Sequence, residues 1–214
     1  MAKVIILGSS NAVPSKDHEN THLVIIGKER TILVDCVSNP IVRLEQAGVD
    51  FNDLTDIVIT HFHPDHVSGV PLLLMDMWLM GRTKPINIYG LHYTMDRLED
   101  LMGYYGWDEW PNFFSVGFYR LPEAEMAYVL DCDEFKIQSS PVHHMIPTIA
   151  CGWSAKTPAK FLRTLVTLNR VNKPFAWQGA WIFLSTKPAA RLMDIPLPSR
   201  PAKSRPRRKS ASCT

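Results

Sequence analysis

The sequence predicts a layered α/β fold, and two features of residues 1–149 support that prediction. Short β-branched runs, which are typical of strands, alternate with amphipathic segments, which are typical of helices. A histidine-rich loop at residues 60–66 directly follows an apolar strand. Strands and helices that mix along a chain usually pack as sheets covered by helices. The 214 residues are enough for one domain with a sizeable core.

The individual elements follow from local pattern. Strands are predicted where β-branched and aromatic residues cluster between turn residues. These runs are residues 3–7, 22–26, 31–35, 56–60, 86–89, 114–121, 127–130 and 134–139. Helices are predicted where apolar residues recur every three or four positions, at residues 40–47, 70–80 and 95–105. The first helix has Asn39 as its N-cap and Pro40 in its first turn, and Gly48 ends it.

Composition argues against a membrane protein and against a disulfide scaffold. No apolar run reaches the ~18 residues that a membrane-spanning helix needs. The first apolar run, at residues 4–7, lacks a following cleavage site, so it is interpreted as a strand and not as a signal peptide. The four cysteines show no Cys-x-x-Cys spacing, which favours free thiols. We therefore expect a cytoplasmic protein without a membrane segment.

The net charge of +2 conceals a strong asymmetry along the chain. Residues 1–149 carry 10 Lys and Arg against 20 Asp and Glu, a net charge of −10. Residues 150–214 carry 13 Lys and Arg against one acid, a net charge of +12, together with seven of the sixteen prolines. This change divides the sequence into two parts, residues 1–149 and residues 150–214.

The loop at residues 60–66, called the metal loop below, has the pattern of a metal site. Histidine nitrogen and aspartate oxygen are good ligands for Zn²⁺. His61 and His63 stand two positions apart after a strand, so both can face one ion, while Asp65 and His66 can face a second. Two ions ~3.5–4 Å apart can share a hydroxide. The alternative, a solvated histidine-rich loop, does not account for a strand, four ligand-type residues and Gly69 in this order.

The remaining ligands must come from other parts of the chain. His143 and His144 follow an apolar strand, and one of them is expected to complete the first site. Asp35 ends the third predicted strand, where its carboxylate could orient the metal loop from behind the ligands. The alternative for Asp35 is an ordinary turn aspartate.

Four segments of the sequence resemble the metallo-β-lactamase superfamily, most closely its ribonuclease Z-like branch. They are residues 4–14, 31–36, 60–69 and 141–148. The resemblance implies an αββα sandwich in which His61, His63 and His144 hold one zinc ion, and Asp65 and His66 help to hold a second. It implies that Asp65 positions the attacking hydroxide. It further implies hydrolysis of a phosphodiester, either in an RNA such as a precursor tRNA or in a small molecule, and it is compatible with a homodimer.

The sequence departs from the family pattern at several points. Val37 replaces the glycine that usually follows the Asp-Cys pair. The family has a later aspartate that bridges both ions and a final histidine on the second ion. Here Asp194 is the only later acid and no histidine follows His144. We therefore expect a sandwich that is incomplete in its C-terminal half and that holds one zinc ion instead of two.

These departures and the basic composition suggest that residues 150–214 are translated out of frame and are disordered. With a one-base shift, permitted codons for residues 164–173, 182–191 and 192–203 encode segments that resemble, in order, three later segments of the family. Restoring one G at the codons of Ala150 and Cys151 changes them to Gly and Leu, which also suits the family. The final metal histidine would then lie beyond Thr214.

Two other hypotheses remain open. The basic run at residues 203–209 has the composition of a nucleic-acid-binding arm or a nuclear targeting signal, so the chain could be an RNA-binding module with a basic tail. Alternatively, the chain could be an inactive, truncated remnant that binds zinc without catalysis. The enzyme hypothesis, in which Asp65 is the expected catalytic residue, predicts about two bound ions per chain, whereas the remnant would bind one or none. An RNA-binding module would instead show a steep salt dependence that is lost when the chain is cut at Ala150.

Overall fold

A computed structural model describes residues 2–156, 163–168 and 180–185 of the chain. Its elements follow the predicted alternation of strands and helices. The strands are β1 Lys3–Gly8, β2 His22–Ile26, β3 Thr31–Val34, β4 Asp56–Val58, β5 Ile86–Leu91, β6 Val116–Leu121, β7 Ala127–Asp131, β8 Phe135–Val142, β9 Thr148–Ala155, β10 Arg163–Leu168 and β11 Ala180–Ser185. The helices are α1 Pro40–Gln46, α2 Pro64–Val67, α3 Val70–Leu79 and α4 His92–Tyr104.

The strands form two sheets that face each other. The first has the order β1-β2-β3-β4-β5-β6, antiparallel from β1 to β3 and parallel from β3 to β6. The second has the order β11-β10-β9-β8-β7 and is antiparallel throughout. The parallel part of the first sheet matters for the site, because its strands end at one common edge.

Two apolar cores separate the layers, and strand alternation divides their residues. On β2, Val24 faces the core shared with the helices, while Leu23 and Ile25 face the second sheet. The helices contribute buried residues such as Leu73 and Leu98 to the first core. This arrangement confirms the predicted metallo-β-lactamase sandwich in its α, β and β layers. Among the described residues no helix follows β6. The predicted incompleteness of the C-terminal half concerns residues that lie mostly outside the described ones.

The first helix begins and ends as predicted. The side chain of Asn39 accepts a hydrogen bond from the amide of Val42 at 3.4 Å, and Pro40 occupies the first turn. Gly48 follows the helix with a φ of 70°, which glycine adopts without strain. The described residues add three short helical elements that the sequence did not predict. One is α2, which starts inside the metal loop, and the others are 3₁₀ turns at Phe51–Asp53 and Trp107–Glu109.

The second sheet does not stop at the predicted boundary between residues 149 and 150. Strand β9 runs through it to Ala155, and β10 pairs with β9 through Leu165 opposite Gly152. Residues 163–168 and 180–185 form β10 and β11, and both runs are rich in β-branched, apolar or aromatic residues. The division of the chain at residue 149 and the disorder of residues 150–214 stay predictions. The other residues of the predicted tail lie outside the described residues, and the altered reading frame stays a prediction.

None of the described helices combines the length and the apolar character that crossing a bilayer requires.

A buried arginine joins the helical layer to the loop before β4. Arg82 is 4% exposed, and its guanidinium donates to five backbone carbonyls, those of Phe51, Asn52, Leu54, Lys84 and Pro85. Burial lowers the pKa of Arg82. Because the guanidinium has five donors in a fixed plane, it satisfies carbonyls that an ammonium cannot reach together.

We predict that Arg82→Lys lowers the free energy of unfolding by about 2–3 kcal/mol, since it leaves buried carbonyls without donors. Urea unfolding followed by circular dichroism measures this. Arg97→Lys is the matched control, because Arg97 is exposed and donates one hydrogen bond, to the carbonyl of Tyr93. The control should change stability by less than about 0.5 kcal/mol. Equal effects of the two substitutions would contradict this account of Arg82.

Candidate metal centre

The metal loop lies at the edge where the parallel strands of the first sheet end. It leaves β4 after Val58, and Pro64 begins the short helix α2 within it. The amide of Ile149, near the start of β9, donates to the carbonyl of Thr60 at 3.0 Å. This bond joins the second sheet to the loop. It also places the β8–β9 connection, which carries His144, beside the loop.

Three predicted histidines converge at this edge. The Nε2 atom of His61 lies 3.0 Å from Nδ1 of His63, and Nε2 of His144 lies 3.2 Å from the same Nδ1. Their ligand atoms all lie within 4.8 Å of one another. His61 is buried, while His63 and His144 are half-buried, so the cluster opens to solvent on one side. Among the described residues this trio is the one group of three or more potential ligands.

The geometry of the trio fits a metal ion. Nitrogens at ~2.0–2.1 Å from a tetrahedral ion lie about 3.3–3.4 Å apart, close to the two short separations observed. Burial, together with the smaller effect of the neighbouring histidines, lowers the pKa of His61 to about 2. Burial also lowers the pKa of His63 and of His144. Neutral imidazoles offer lone pairs, so the trio suggests a metal-binding site.

Asp65 and His66 lie next to the trio as a pair. Nε2 of His66 is 3.5 Å from Oδ2 of Asp65, and the rings of His61 and His66 are 4.0 Å apart. Burial alone would lower the pKa of His66. The charge of Asp35, the hydrogen bond to Asp35 and the charge of Asp65 together outweigh burial, so the pKa of His66 is raised. The described residues bring these two predicted ligands of a second ion together and add no third one.

Asp35 lies beneath the metal loop and contacts it at three points. It is 2% exposed, and its carboxylate accepts from the amide of Thr60 at 2.8 Å and from Nδ1 of His66 at 2.7 Å. The hydroxyl of Thr60 lies 3.0 Å from both carboxylate oxygens. Asp35 has a φ of 57°, a left-handed conformation that costs an aspartate about 1 kcal/mol. These contacts favour the orienting role over that of an ordinary turn aspartate.

The backbone beyond Asp35 is bonded directly to the metal loop. The amide of Cys36 donates to the carbonyl of His66 at 2.8 Å, and the amide of Gly69 donates to the carbonyl of Cys36 at 2.9 Å. A Cβ atom at Gly69 would lie 2.8 Å from the backbone carbon of Val37, closer than real Cβ contacts. Glycine at position 69 therefore allows the two backbone segments to approach this closely. Val37, which replaces the glycine usual in the family, is fully buried where this backbone meets Gly69.

The structure adds detail at two positions that the sequence pattern alone left open. Of the two adjacent histidines, His144 joins the cluster and His143 is exposed. Thr60 was predicted only as the start of the loop, yet its hydroxyl lies 3.0 Å from Nδ1 of His61. The one signal for it is its position, between a strand end and the first histidine.

The sequence of the chain matches a family model described as "Anti-Pycsar protein Apyc1" over residues 2–152. Ribonuclease Z from Methanothermobacter thermautotrophicus is 30% identical over 165 residues, which cover 76% of this chain and 51% of that protein. Ribonuclease Z from Thermococcus kodakarensis is 29% identical over 168 residues, covering 76% and 50%. The chain thus spans about half the length of these curated relatives.

The structure is similar to solved structures of the same fold. Human tRNase Z, short form, superposes with a TM-score of 0.61 at 24% identity, covering 73% of this chain and 66% of that one. Yeast PDE1 superposes with a TM-score of 0.54 at 16% identity, covering 82% and 68%. These likenesses confirm the metallo-β-lactamase fold. The chain therefore belongs to the family described as anti-Pycsar protein Apyc1, within the ribonuclease Z-like branch of the metallo-β-lactamase superfamily.

Proposed function

We propose that this protein is a zinc-dependent hydrolase of phosphodiester bonds. The observation that carries the proposal is the convergence of His61, His63 and His144 at the edge of the first sheet, with Asp65 and His66 beside them. Three imidazoles with one open side are typical of a catalytic zinc site, whereas structural sites are closed by four protein ligands. The names of the curated relatives, ribonuclease Z, support RNA as the class of substrate.

Each residue of the site would have a separate role in metal binding or catalysis. His61, His63 and His144 would hold the first ion, and Asp65 and His66 would contribute to a second. When bound here, a zinc ion would lower the pKa of water and polarise a phosphoryl oxygen. The carboxylate of Asp65, half-buried in the first turn of α2, would accept a proton from the attacking water and fix its orientation.

The substrate is proposed at the level of the bond, with precursor tRNA and a small phosphodiester as the two candidates. Ribonuclease Z and tRNase Z are named for RNA, while the yeast neighbour is named PDE1. Residues 1–149 carry a net charge of −10, which opposes the approach of a polyanion and favours the smaller substrate.

A cytoplasmic location accords with the free thiols of Cys36, Cys132 and Cys151. The homodimer stays a prediction.

The adjacent histidines His143 and His144 allow a matched test of the zinc site. We predict that His144→Ala weakens zinc binding at least ~100-fold, because losing a direct ligand should exceed the ~10–100-fold effect of losing a supporting residue. His143→Ala should leave zinc affinity within about twofold, since His143 is exposed and outside the cluster. Competition with a chromophoric chelator measures both affinities, and hydrolysis of bis(p-nitrophenyl) phosphate and of a precursor tRNA measures activity.

The opposite ranking would contradict the assignment of His144. Equal zinc affinity in the two variants would disprove a metal site that contains His144. A chain that binds zinc but cleaves neither substrate would favour the non-enzymatic zinc-binding remnant.

We also propose that the gene has lost one base near codon 150. The +12 charge of residues 150–214 and a family match that ends at residue 152 support this.

We predict that restoring one G at codons 150 and 151 raises solubility, zinc content and phosphodiester cleavage together. The restored frame would supply the bridging aspartate that the second ion lacks. The present chain should turn over well below the ~1–1000 per second that is usual for enzymes. Both genes are expressed side by side and compared. A restored gene that improves none of these properties, or resequencing that returns the present frame, would disprove the proposal.

A further inference from the structure

The hydroxyl of Thr60 occupies a central place behind the metal loop. Thr60 is 2% exposed, and its Oγ1 atom lies within hydrogen-bond distance of three groups. These are the carboxylate of Asp35 at 3.0 Å, Nδ1 of His61 at 3.0 Å and, more distantly, Nδ1 of His66 at 3.4 Å. A hydroxyl carries one proton to donate and two lone pairs that accept, so the direction of each bond can be assigned.

The direction follows from the carboxylate, which can only accept. Asp35 accepts from the amide of Thr60 and from Nδ1 of His66, and it takes the hydroxyl proton of Thr60 as well. With its proton used in this way, the oxygen of Thr60 can only accept from His61. Nδ1 of His61 must therefore carry the proton, and Nε2 keeps its lone pair.

This assignment places the free lone pair of His61 where the cluster needs it. Nε2 of His61 is the atom that points toward His63, at 3.0 Å from its Nδ1. The same argument applies to His66, whose Nδ1 proton goes to Asp35 and whose Nε2 faces Asp65. Asp35 thus orients His66 directly and His61 through the hydroxyl of Thr60.

We propose that Thr60 is a positioning residue that fixes the tautomer of His61 and links it to Asp35. The proposal rests on the proposed zinc site, since tautomer choice matters only where Nε2 binds an ion. Histidines that bind metals commonly donate their other nitrogen to a carboxylate or carbonyl, and here a threonine hydroxyl takes that place. The two proposed ion sites then share the carboxylate of Asp35, which orients one histidine in each of them.

The test compares Thr60→Val, which keeps the β-branched shape, with Thr60→Ser, which keeps the hydroxyl. We expect Thr60→Val to weaken zinc affinity ~10–100-fold and Thr60→Ser to stay within ~3-fold of the wild type. Thr94→Val is the matched control, because Thr94 is also buried and its hydroxyl has no hydrogen-bond partner among the residues that the structure describes. Its zinc affinity should equal that of the wild type. Chelator competition on the full chain gives these values.

A second readout does not need bound zinc. Long-range ¹H–¹⁵N NMR of the metal-free full chain reports which nitrogen of His61 is protonated, and the expected result is Nδ1 in the wild type and loss of that preference in Thr60→Val. A wild-type His61 protonated on Nε2 overturns the proposal, as does a Thr60→Ser variant as weak as Thr60→Val. If the wild type binds no zinc, the proposed function fails, while the NMR result still decides the role of Thr60.

Discussion

The buried carboxylate of Asp35 is the group on which the arrangement of the metal loop depends. It accepts hydrogen bonds from the amide and the hydroxyl of Thr60 and from Nδ1 of His66. An unpaired carboxylate at this depth would be strongly destabilising, so each of these donors offsets the loss of solvation. The left-handed backbone of Asp35 adds a further cost that the loop contacts must exceed.

The layered fold explains why the donors and ligands meet at this point. Strands β3 and β4 are parallel, with Val34 opposite Val58, so Asp35 and the metal loop leave the sheet at the same edge. The second sheet then reaches this edge through the bond from Ile149 to Thr60. The site is therefore a junction of three backbone segments, in which His61 and His66 are buried while His63 and His144 are half-buried.

The sequence predicted the local part of this arrangement and not the part that depends on tertiary contacts. His61, His63, Asp65 and His66 fall within one short loop, so their pattern alone indicated a metal site. The choice between His143 and His144 depends on how the β8–β9 connection turns, which adjacent identical residues cannot reveal; only the family resemblance indicated His144. Thr60 was missed because a threonine before a histidine has no distinctive pattern.

The fold shows the same division between local and distant information. The cap at Asn39 and the end at Gly48 are local signals, and both were predicted. The continuation of β9 past residue 149 was not, because pairing with β8 decides it. Its eight residues pair in unbroken register from Phe135 opposite Ala155 to Val142 opposite Thr148. The charge change at residue 150 is real in the sequence, yet it does not coincide with the end of a strand.

We propose that the histidine trio holds a metal ion and that the Asp35 network supports it. X-ray absorption at the zinc edge of the zinc-loaded full chain can decide this, because the first shell identifies the ligand atoms. Three imidazole nitrogens at ~2.0–2.1 Å are expected, with outer-shell scattering from their rings. A first shell that contains sulfur at ~2.3 Å, or one without imidazole scattering, would contradict it.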